Sequence, residues 1–156
     1  MRLLVLVLFF SLFFASPASA QSPTGAWEFG LGPHVVFRES SSKTSVGGGV
    51  TVARRSRRFA AVVEGGGTRR EGHNDWRIVG GPRVTVNPGA RTSVFVQALA
   101  GALIRQREAG WAVLPGFGVD VRSSGGRAIR LQFDAPIERS EGRTATSIRG
   151  SIWFVF

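Results

Sequence analysis

Two histidines, His34 and His73, are the side chains of this sequence that could act as bases near neutral pH. The chain has no cysteine, which excludes a thiol nucleophile, a cysteine-ligated metal and a disulfide. A hydrolase needs a nucleophile, a base and an orienting group in contact. The elements predicted below place His34 within a strand near Glu28, and His73 in a loop, which favours a structural, hydrogen-bonded His34. We therefore predict no catalytic residue, no metal site and no cofactor.

The first residues have the pattern of a secretory signal peptide. Arg2 is followed by the apolar run Leu3–Ala15 and by the small residues Ala18-Ser19-Ala20. A membrane anchor is the alternative, but the run is shorter than the roughly 20 apolar residues that a spanning helix needs. We predict cleavage after residue 20 and a single domain over residues 21–156.

The positive charge of the chain points to anionic partners. The formal net charge is +10, and Lys43 is the only lysine, so nearly all of the excess is arginine. The basic stretch RRSRR at 54–58 lacks the interleaved aromatic residues that stack on bases, and export makes nucleic acid an unsuitable partner. Anionic lipid head groups or lipopolysaccharide phosphates are the expected partners.

The elements that must position these residues are strands, because apolar residues recur with a period of two. In the first strand, Trp27, Phe29 and Leu31 alternate with Glu28 and Gly30. The alternation predicts eight strands, at 26–37, 46–54, 58–68, 76–86, 92–104, 111–122, 127–135 and 144–156.

Alternation does not say which face lies inside, and three features favour lipid outside. The less apolar face is rich in glycine and poor in charge, which suits a narrow lumen better than a water-exposed surface. Aromatic residues at strand ends would form interfacial girdles: Trp27, Phe37, Phe59, Trp76 and Trp111. The charges of the inner face balance as four arginines and four acids, forming a predicted lumen network: Glu28, Glu64, Arg77, Arg83, Asp120, Arg130, Asp134 and Arg149.

Three prolines inside strands complicate this interpretation. Pro33, Pro82 and Pro115 fall on the outward set, where each removes a ladder hydrogen bond. A β-bulge at each proline is one way in which the sheet could adjust.

With its eight alternating segments and the terminal GSIWFVF, the sequence resembles the small bacterial outer-membrane barrels, the OmpA-like and OmpX-like transmembrane domains. The resemblance implies an all-β, closed, antiparallel up-and-down barrel in the outer membrane, with both mature termini in the periplasm. It also implies contact with the barrel-assembly machinery during insertion, through a terminal assembly signal: Ile148, Ile152, Phe154 and Phe156.

By this topology the 54–58 turn faces the periplasm, and its arginines could contact anionic lipids: Arg54, Arg55, Arg57 and Arg58. The loops near 38–45, 68–75, 105–110 and 135–146 face outward and mix basic and acidic residues, which could contact lipopolysaccharide.

The sequence thus predicts a monomeric, non-enzymatic outer-membrane barrel with an envelope-integrity or cell-surface role. Eight strands leave an interior that side chains fill, so no open pore is expected. A soluble periplasmic lipocalin-like barrel with an apolar ligand inside is the first alternative. A lipid-modifying outer-membrane barrel enzyme is the second, although its catalytic groups would have to face lipid and His34 does not.

Overall fold

The structure is a computed structural model that describes residues 26–38, 41–70, 73–105, 108–123, 126–140 and 142–156, with the backbone alone at 41–43 and 70. The predicted signal peptide, residues 1–20, lies outside the described residues. No helix among the described residues has the length and apolar character needed to cross a membrane.

The described chain is a sequence of antiparallel strands joined by short turns. The strands are β1 (Trp27–Arg38), β2 (Ser41–Ser56), β3 (Phe59–Arg70), β4 (His73–Pro88), β5 (Thr92–Arg105), β6 (Glu108–Arg122), β7 (Ala128–Asp134), β8 (Ile137–Ser140) and β9 (Arg143–Val155).

The sheet closes on itself because the last strand pairs with the first. Leu31 lies opposite Phe154, and His34 lies opposite Ser151. Beyond β9, the amide of Phe156 donates to the carbonyl of Phe29 at 2.8 Å. Closure satisfies the edge hydrogen bonds that an open sheet would expose to hydrocarbon.

The short strands β7 and β8 together form one strand of the barrel, which is interrupted at Ala135-Pro136. Both pair with β6 on one side and β9 on the other, in an unchanged register. Pro136 has no amide hydrogen to donate to the ladder, whereas the amide of Ala135 still donates to the carbonyl of Pro115 at 2.9 Å. The barrel wall therefore has eight strands when β7 and β8 are counted as one, which confirms the predicted number. The prediction of a loop over 135–146 is wrong, because residues 137–140 and 143–146 belong to strands.

Pro33 and Pro82 are accommodated without bulges. Each proline is paired with a residue of the neighbouring strand on one side and is unpaired on the other side. The pairing on that second side continues beyond the proline in the same register. The irregularities of register lie elsewhere, between Phe37 and Arg38 and between Thr85 and Asn87. Bulges at these prolines are therefore not the adjustment that the sheet makes.

A glycine adjoins each of these prolines and allows a close approach. A Cβ atom at Gly32 would overlap the carbonyl oxygen of Ile152, and one at Gly81 would overlap that of Ala98. The neighbouring backbone occupies the space that a side chain would need, so these two positions require glycine.

The apolar face of the sheet points outward, as predicted. On β4, Ile78 is 66 % exposed and the adjacent Val79 is 1 % exposed. Trp27, Phe29 and Leu31 are likewise exposed on the outer surface of β1. The interior also contains an apolar cluster, on the β2–β6 side of the barrel: Ala53, Ala60, Val62, Val79, Leu99, Leu103, Ala112 and Leu114.

Candidate functional site in the barrel interior

The two ends of the barrel differ in their connections. We call the end that holds Trp27, Phe156 and the β2–β3, β4–β5 and β6–β7 turns the terminal end. The end at which β1 runs into β2, β3 into β4, β5 into β6 and β8 into β9 is the loop end.

A cluster of five charged residues lies in the interior near the terminal end. Asp120 and Arg130 are cross-strand neighbours on β6 and β7, and the Arg130 guanidinium donates to both carboxylate oxygens of Asp120, at 2.6 and 3.0 Å. Arg130 also donates to Glu28 at 2.9 Å, and Arg55 contacts the same carboxylate. Arg83 Nη1 lies 3.6 Å from Glu28.

The ring of Phe95 contacts two of these guanidinium groups. The Cζ atoms of Arg83 and Arg130 are 4.6 and 5.0 Å from the centre of its ring. Such cation–π contacts stabilise cations that have been removed from water.

A second cluster occupies the middle of the barrel around Arg149, which is 0 % exposed. Its cross-strand neighbour Asp134 accepts from Nε at 3.0 Å and from Nη2 at 2.6 Å. Glu64, across the lumen on β3, contacts the other side of the guanidinium. Gln97 joins this cluster to the first, since it accepts from Arg83 at 2.9 Å and donates to Asp134 at 3.1 Å.

A third cluster lies toward the loop end and is centred on Glu138. This carboxylate accepts from Arg77 at 3.3 Å, from Arg105 at 2.5 Å and from Arg38 at 3.1 Å. Asp75 accepts a further hydrogen bond from Arg105 at 3.1 Å. Since each carboxylate faces more than one arginine, the cluster is a network rather than a set of isolated pairs.

The structure brings all eight residues of the predicted lumen network into the interior, but the network is larger than the sequence indicated. It adds Arg38, Arg55, Asp75, Arg105 and Glu138. Among the described residues the interior therefore holds seven arginines and six carboxylates. The sequence predicts that Arg77 is neutralised by one of four lumen acids, Glu28, Glu64, Asp120 or Asp134. In the structure Arg77 forms an ion pair with Glu138, which was not among them.

The prediction that Arg55 contacts anionic lipid is wrong. Arg55 is 7 % exposed and lies inside the barrel against Glu28. Because β2 continues to Ser56, the alternation of faces carries Arg55 inward and leaves Arg54 outside. Arg54, Arg57 and Arg58 are exposed at the terminal end, and the Arg54 guanidinium lies 5.8 Å from the ring centre of Trp27.

Four charged residues that the sequence placed in outer loops also lie in the interior network: Arg38, Asp75, Arg105 and Glu138. The strands extend beyond the apolar band, so the inner face continues where the sequence no longer alternates. Glu138, on β8, is 5 % exposed.

The side chain of His34 is buried in the interior of the barrel. Its Nε2 atom lies 2.9 Å from the hydroxyl oxygen of Thr68, a hydrogen bond whose direction depends on the tautomer. The rings of His34 and Trp153 pack against inward-facing glycines of β2, Gly47 and Gly49 respectively. Among the described residues, no three His, Asp or Glu side chains are grouped as a metal site would require.

The predicted girdle residues are all exposed and form two belts. Trp27 and Phe59 lie at the terminal end, and Phe37, Trp76 and Trp111 lie toward the loop end. The residues of the predicted assembly signal also lie on the outer face, near or along β9: Ile148, Ile152, Phe154 and Phe156. Their role in assembly stays a prediction.

Comparison with known proteins relates the chain to others through its fold. No protein-family model and no curated protein matches the sequence. The structure is similar to that of the Neisserial surface protein A (NspA), with a TM-score of 0.64 and 6 % identity over 83 % of this chain and 92 % of that one. It is also similar to Ail, the attachment invasion locus protein of Yersinia pestis, with a TM-score of 0.56 and 11 % identity over 86 % of this chain and 100 % of that one.

A designed transmembrane β-barrel matches as well, with a TM-score of 0.53 and 15 % identity over 87 % of this chain and 99 % of that one. Another structure of Ail that matches contains the heparin analogue sucrose octasulfate. The chain thus has the fold of small eight-stranded transmembrane barrels of the outer-membrane type. The resemblance found in the sequence is confirmed at the level of fold.

Proposed function

We propose that this protein is a non-catalytic barrel of the bacterial outer membrane that serves as a rigid envelope component with a lipopolysaccharide-binding outer surface. The observation that carries the proposal is the inversion of polarity across the barrel wall. Large apolar side chains such as Ile78, Phe29 and Leu31 face outward, whereas Arg149, Arg130 and their carboxylate partners are buried inside. An apolar exterior of this kind suits lipid and is unsuited to water.

The same inversion disfavours a soluble lipocalin-like barrel. Such a barrel would need an apolar interior with room for a ligand. Here charged clusters lie in the interior at the terminal end, in the middle and toward the loop end, and an apolar cluster lies on the β2–β6 side.

We infer that the barrel does not conduct as an open pore. A solute would have to displace arginines that are each held by several acceptors, such as Arg149 and Arg130. The expected result in planar bilayers is the absence of a steady open conductance, and a stable large conductance would refute this inference.

A catalytic role is disfavoured by the position of His34. A lipid-modifying barrel enzyme would need its base on the lipid-facing surface, and His34 is instead buried in the interior against Thr68. His73, which the sequence placed in a loop, is the first residue of β4 and lies on the strand face of Asp75 and Arg77, not on that of Trp76 and Ile78. Mass analysis of lipid A from cells with and without the protein tests this part of the proposal, and an altered acyl pattern would contradict it.

Lipopolysaccharide phosphates are the proposed ligands of the loop end. Arg69 and Arg139 are exposed there, as is Arg143. Arg139 is the cross-strand partner of Trp111, so its backbone lies at the level of the aromatic belt, near which head groups begin. The complex of Ail with the heparin analogue sucrose octasulfate supports the proposal, because a barrel of similar fold binds a sulfated saccharide there.

Fractionation tests membrane location. We expect the protein to stay in the outer-membrane pellet after a high-pH wash and to migrate anomalously on gels when unheated. Recovery in the periplasmic supernatant would contradict the proposal.

Copurification tests the lipopolysaccharide contact separately. Replacing Arg69 and Arg139 with Gln should lower the amount of lipopolysaccharide that copurifies. The matched replacement of Arg57 and Arg58, at the terminal end, should not. Equal amounts for both double variants would remove lipopolysaccharide binding from the proposal.

A further inference from the structure

A cleft at the terminal end has not been given a role so far. Its volume is about 440 Å³, and it lies between the β6–β7 turn and the end of the chain. It is lined by three short stretches, 121–123 at the end of β6, 127–129 at the start of β7, and 154–156: Val121, Arg122, Ser123, Arg127, Ala128, Ile129, Phe154, Val155 and Phe156.

One side of the cleft is an apolar row on the outer surface of the barrel. Val121 is the cross-strand partner of Ile129, and Ile129 is the partner of Phe154. These three side chains and Phe156 are each between 46 % and 56 % exposed. In a membrane they would face acyl chains, so the row provides a surface for an aliphatic chain.

The other side of the cleft is basic. Arg122, the last residue of β6, and Arg127, just before β7, both line it. The backbone at these positions makes two hydrogen bonds, from the Ser123 amide to the Arg127 carbonyl at 2.8 Å and from the Arg122 amide to the Arg91 carbonyl at 2.7 Å. Both arginines therefore lie on hydrogen-bonded backbone beside the apolar row. Guanidinium groups match the geometry of phosphate oxygens.

The surrounding end of the barrel does not neutralise this charge with acidic side chains. The other arginines outside the lumen at the terminal end are Arg54, Arg57, Arg58 and Arg91. Glu28 is the acidic side chain nearest the terminal end of β1, and it is already bound by Arg55 and Arg130 inside the barrel.

We propose that this cleft binds one acidic diacyl phospholipid, with its phosphate at Arg122 and Arg127 and an acyl chain along Val121, Ile129 and Phe154. The inference rests on the proposed insertion of the barrel in a membrane. The apolar row requires an acyl chain, which free phosphate lacks, and the basic end favours a head group with net negative charge. Each arginine near an anionic lipid surface contributes about a fivefold gain in affinity, so the pair gives roughly thirtyfold at low salt.

Photo-cross-linking in vesicles tests the proposal. The protein is inserted in vesicles of phosphatidylethanolamine and phosphatidylglycerol that carry a trace of one of the two lipids with a diazirine in its acyl chain. Adducts are mapped by mass spectrometry. We expect the ratio of phosphatidylglycerol to phosphatidylethanolamine adducts at Val121, Ile129 and Phe154 to exceed the ratio at Ile78, on the opposite wall, by about tenfold or more.

Arginine variants locate the head-group contact. In the Arg122→Gln/Arg127→Gln variant the excess at the cleft should disappear, whereas the matched Arg139→Gln variant at the loop end should retain it. If the double variant does not fold, the Arg127→Gln single variant and a salt titration of the unaltered protein give the same test, because both should reduce the excess.

Two results separate this inference from the proposed function. Adducts of both lipids at Ile78, with equal ratios at Ile78 and the cleft, would overturn the acidic-lipid site but leave membrane insertion intact. An excess that persists without the arginines would overturn the assigned head-group contact. No adducts on the outer wall would overturn both.

Discussion

Removal of the Arg149 guanidinium should be the most damaging single change in the interior. Arg149 is fully buried and is the arginine that holds both Glu64 and Asp134 by hydrogen bonds. The Arg149→Met variant leaves these two buried carboxylates with hydrogen bonds from Gln132 and Gln97. Breaking a buried ion pair by removing one partner typically costs 3–5 kcal/mol, so we expect the free energy of unfolding to fall by about 4 kcal/mol.

The matched variant Arg130→Met should cost less, although Arg130 is buried to the same degree. The terminal-end cluster holds three arginines and two acids. Without Arg130, Arg55 still contacts Glu28 and lies 3.6 Å from Asp120. The charges of that cluster then balance, and we expect a loss of about 1–3 kcal/mol.

Urea unfolding in lipid vesicles, followed by tryptophan fluorescence, measures both losses. Adding Glu64→Gln and Asp134→Asn to Arg149→Met should restore more than half of the stability, because the two carboxylates that Arg149 held are then replaced by neutral amides. A loss below about 1 kcal/mol for Arg149→Met, or a larger loss for Arg130→Met, would refute the assignment of charges to clusters.

Two further predictions concern the wall of the barrel. Gly81→Ala should lower the free energy of unfolding in vesicles by about 1–3 kcal/mol or prevent folding, because its Cβ would overlap the carbonyl of Ala98, whereas Gly65→Ala, whose nearest atom lies 4.0 Å away, should fold with little loss. Equal effects would contradict the close approach at Gly81. Leu31→Arg, about midway along β1 between the belt residues Trp27 and Phe37, should cost about 2–4 kcal/mol in the same assay, and Ser56→Arg, at the terminal end, about 1 kcal/mol or less. Reversed costs would place the lipid-facing band elsewhere.

The faces of the strands could be predicted from the sequence because a period of two leaves one choice per strand once the orientation is known. The choice between lipid and core came from the weak charge and high glycine content of the inner face, and Ile78 and Val79 show that it was right for β4. The number of strands in the barrel could be predicted from the same alternation.

The ends of the strands could not be predicted, because the strands continue past the apolar band. Beyond it, outward residues such as Asn74 and Thr144 are polar, so the apolar alternation disappears while the hydrogen-bonded ladder does not. Arg55 and Glu138 were therefore assigned to turns and loops, although the alternation of faces carries both into the lumen.

The partners of the interior charges could be predicted only between adjacent strands. Asp120 with Arg130 and Asp134 with Arg149 are cross-strand neighbours. Contacts across the lumen, such as Arg149 with Glu64, depend on the tilt and stagger of the closed barrel. The number of charges on the inner face does not reveal the tilt and stagger, so the sequence does not predict that Arg77 pairs with Glu138.

Tryptophan quenching by lipids with brominated acyl chains tests the orientation of the wall most directly. In variants that each retain one tryptophan, with phenylalanine at the other three positions, we predict strong quenching of Trp27, Trp76 and Trp111. Trp153, which is 1 % exposed inside the barrel, should be protected from the brominated chains. Quenching of Trp153 by brominated lipid, together with quenching of the other three by aqueous iodide alone, would contradict the outward-facing apolar surface.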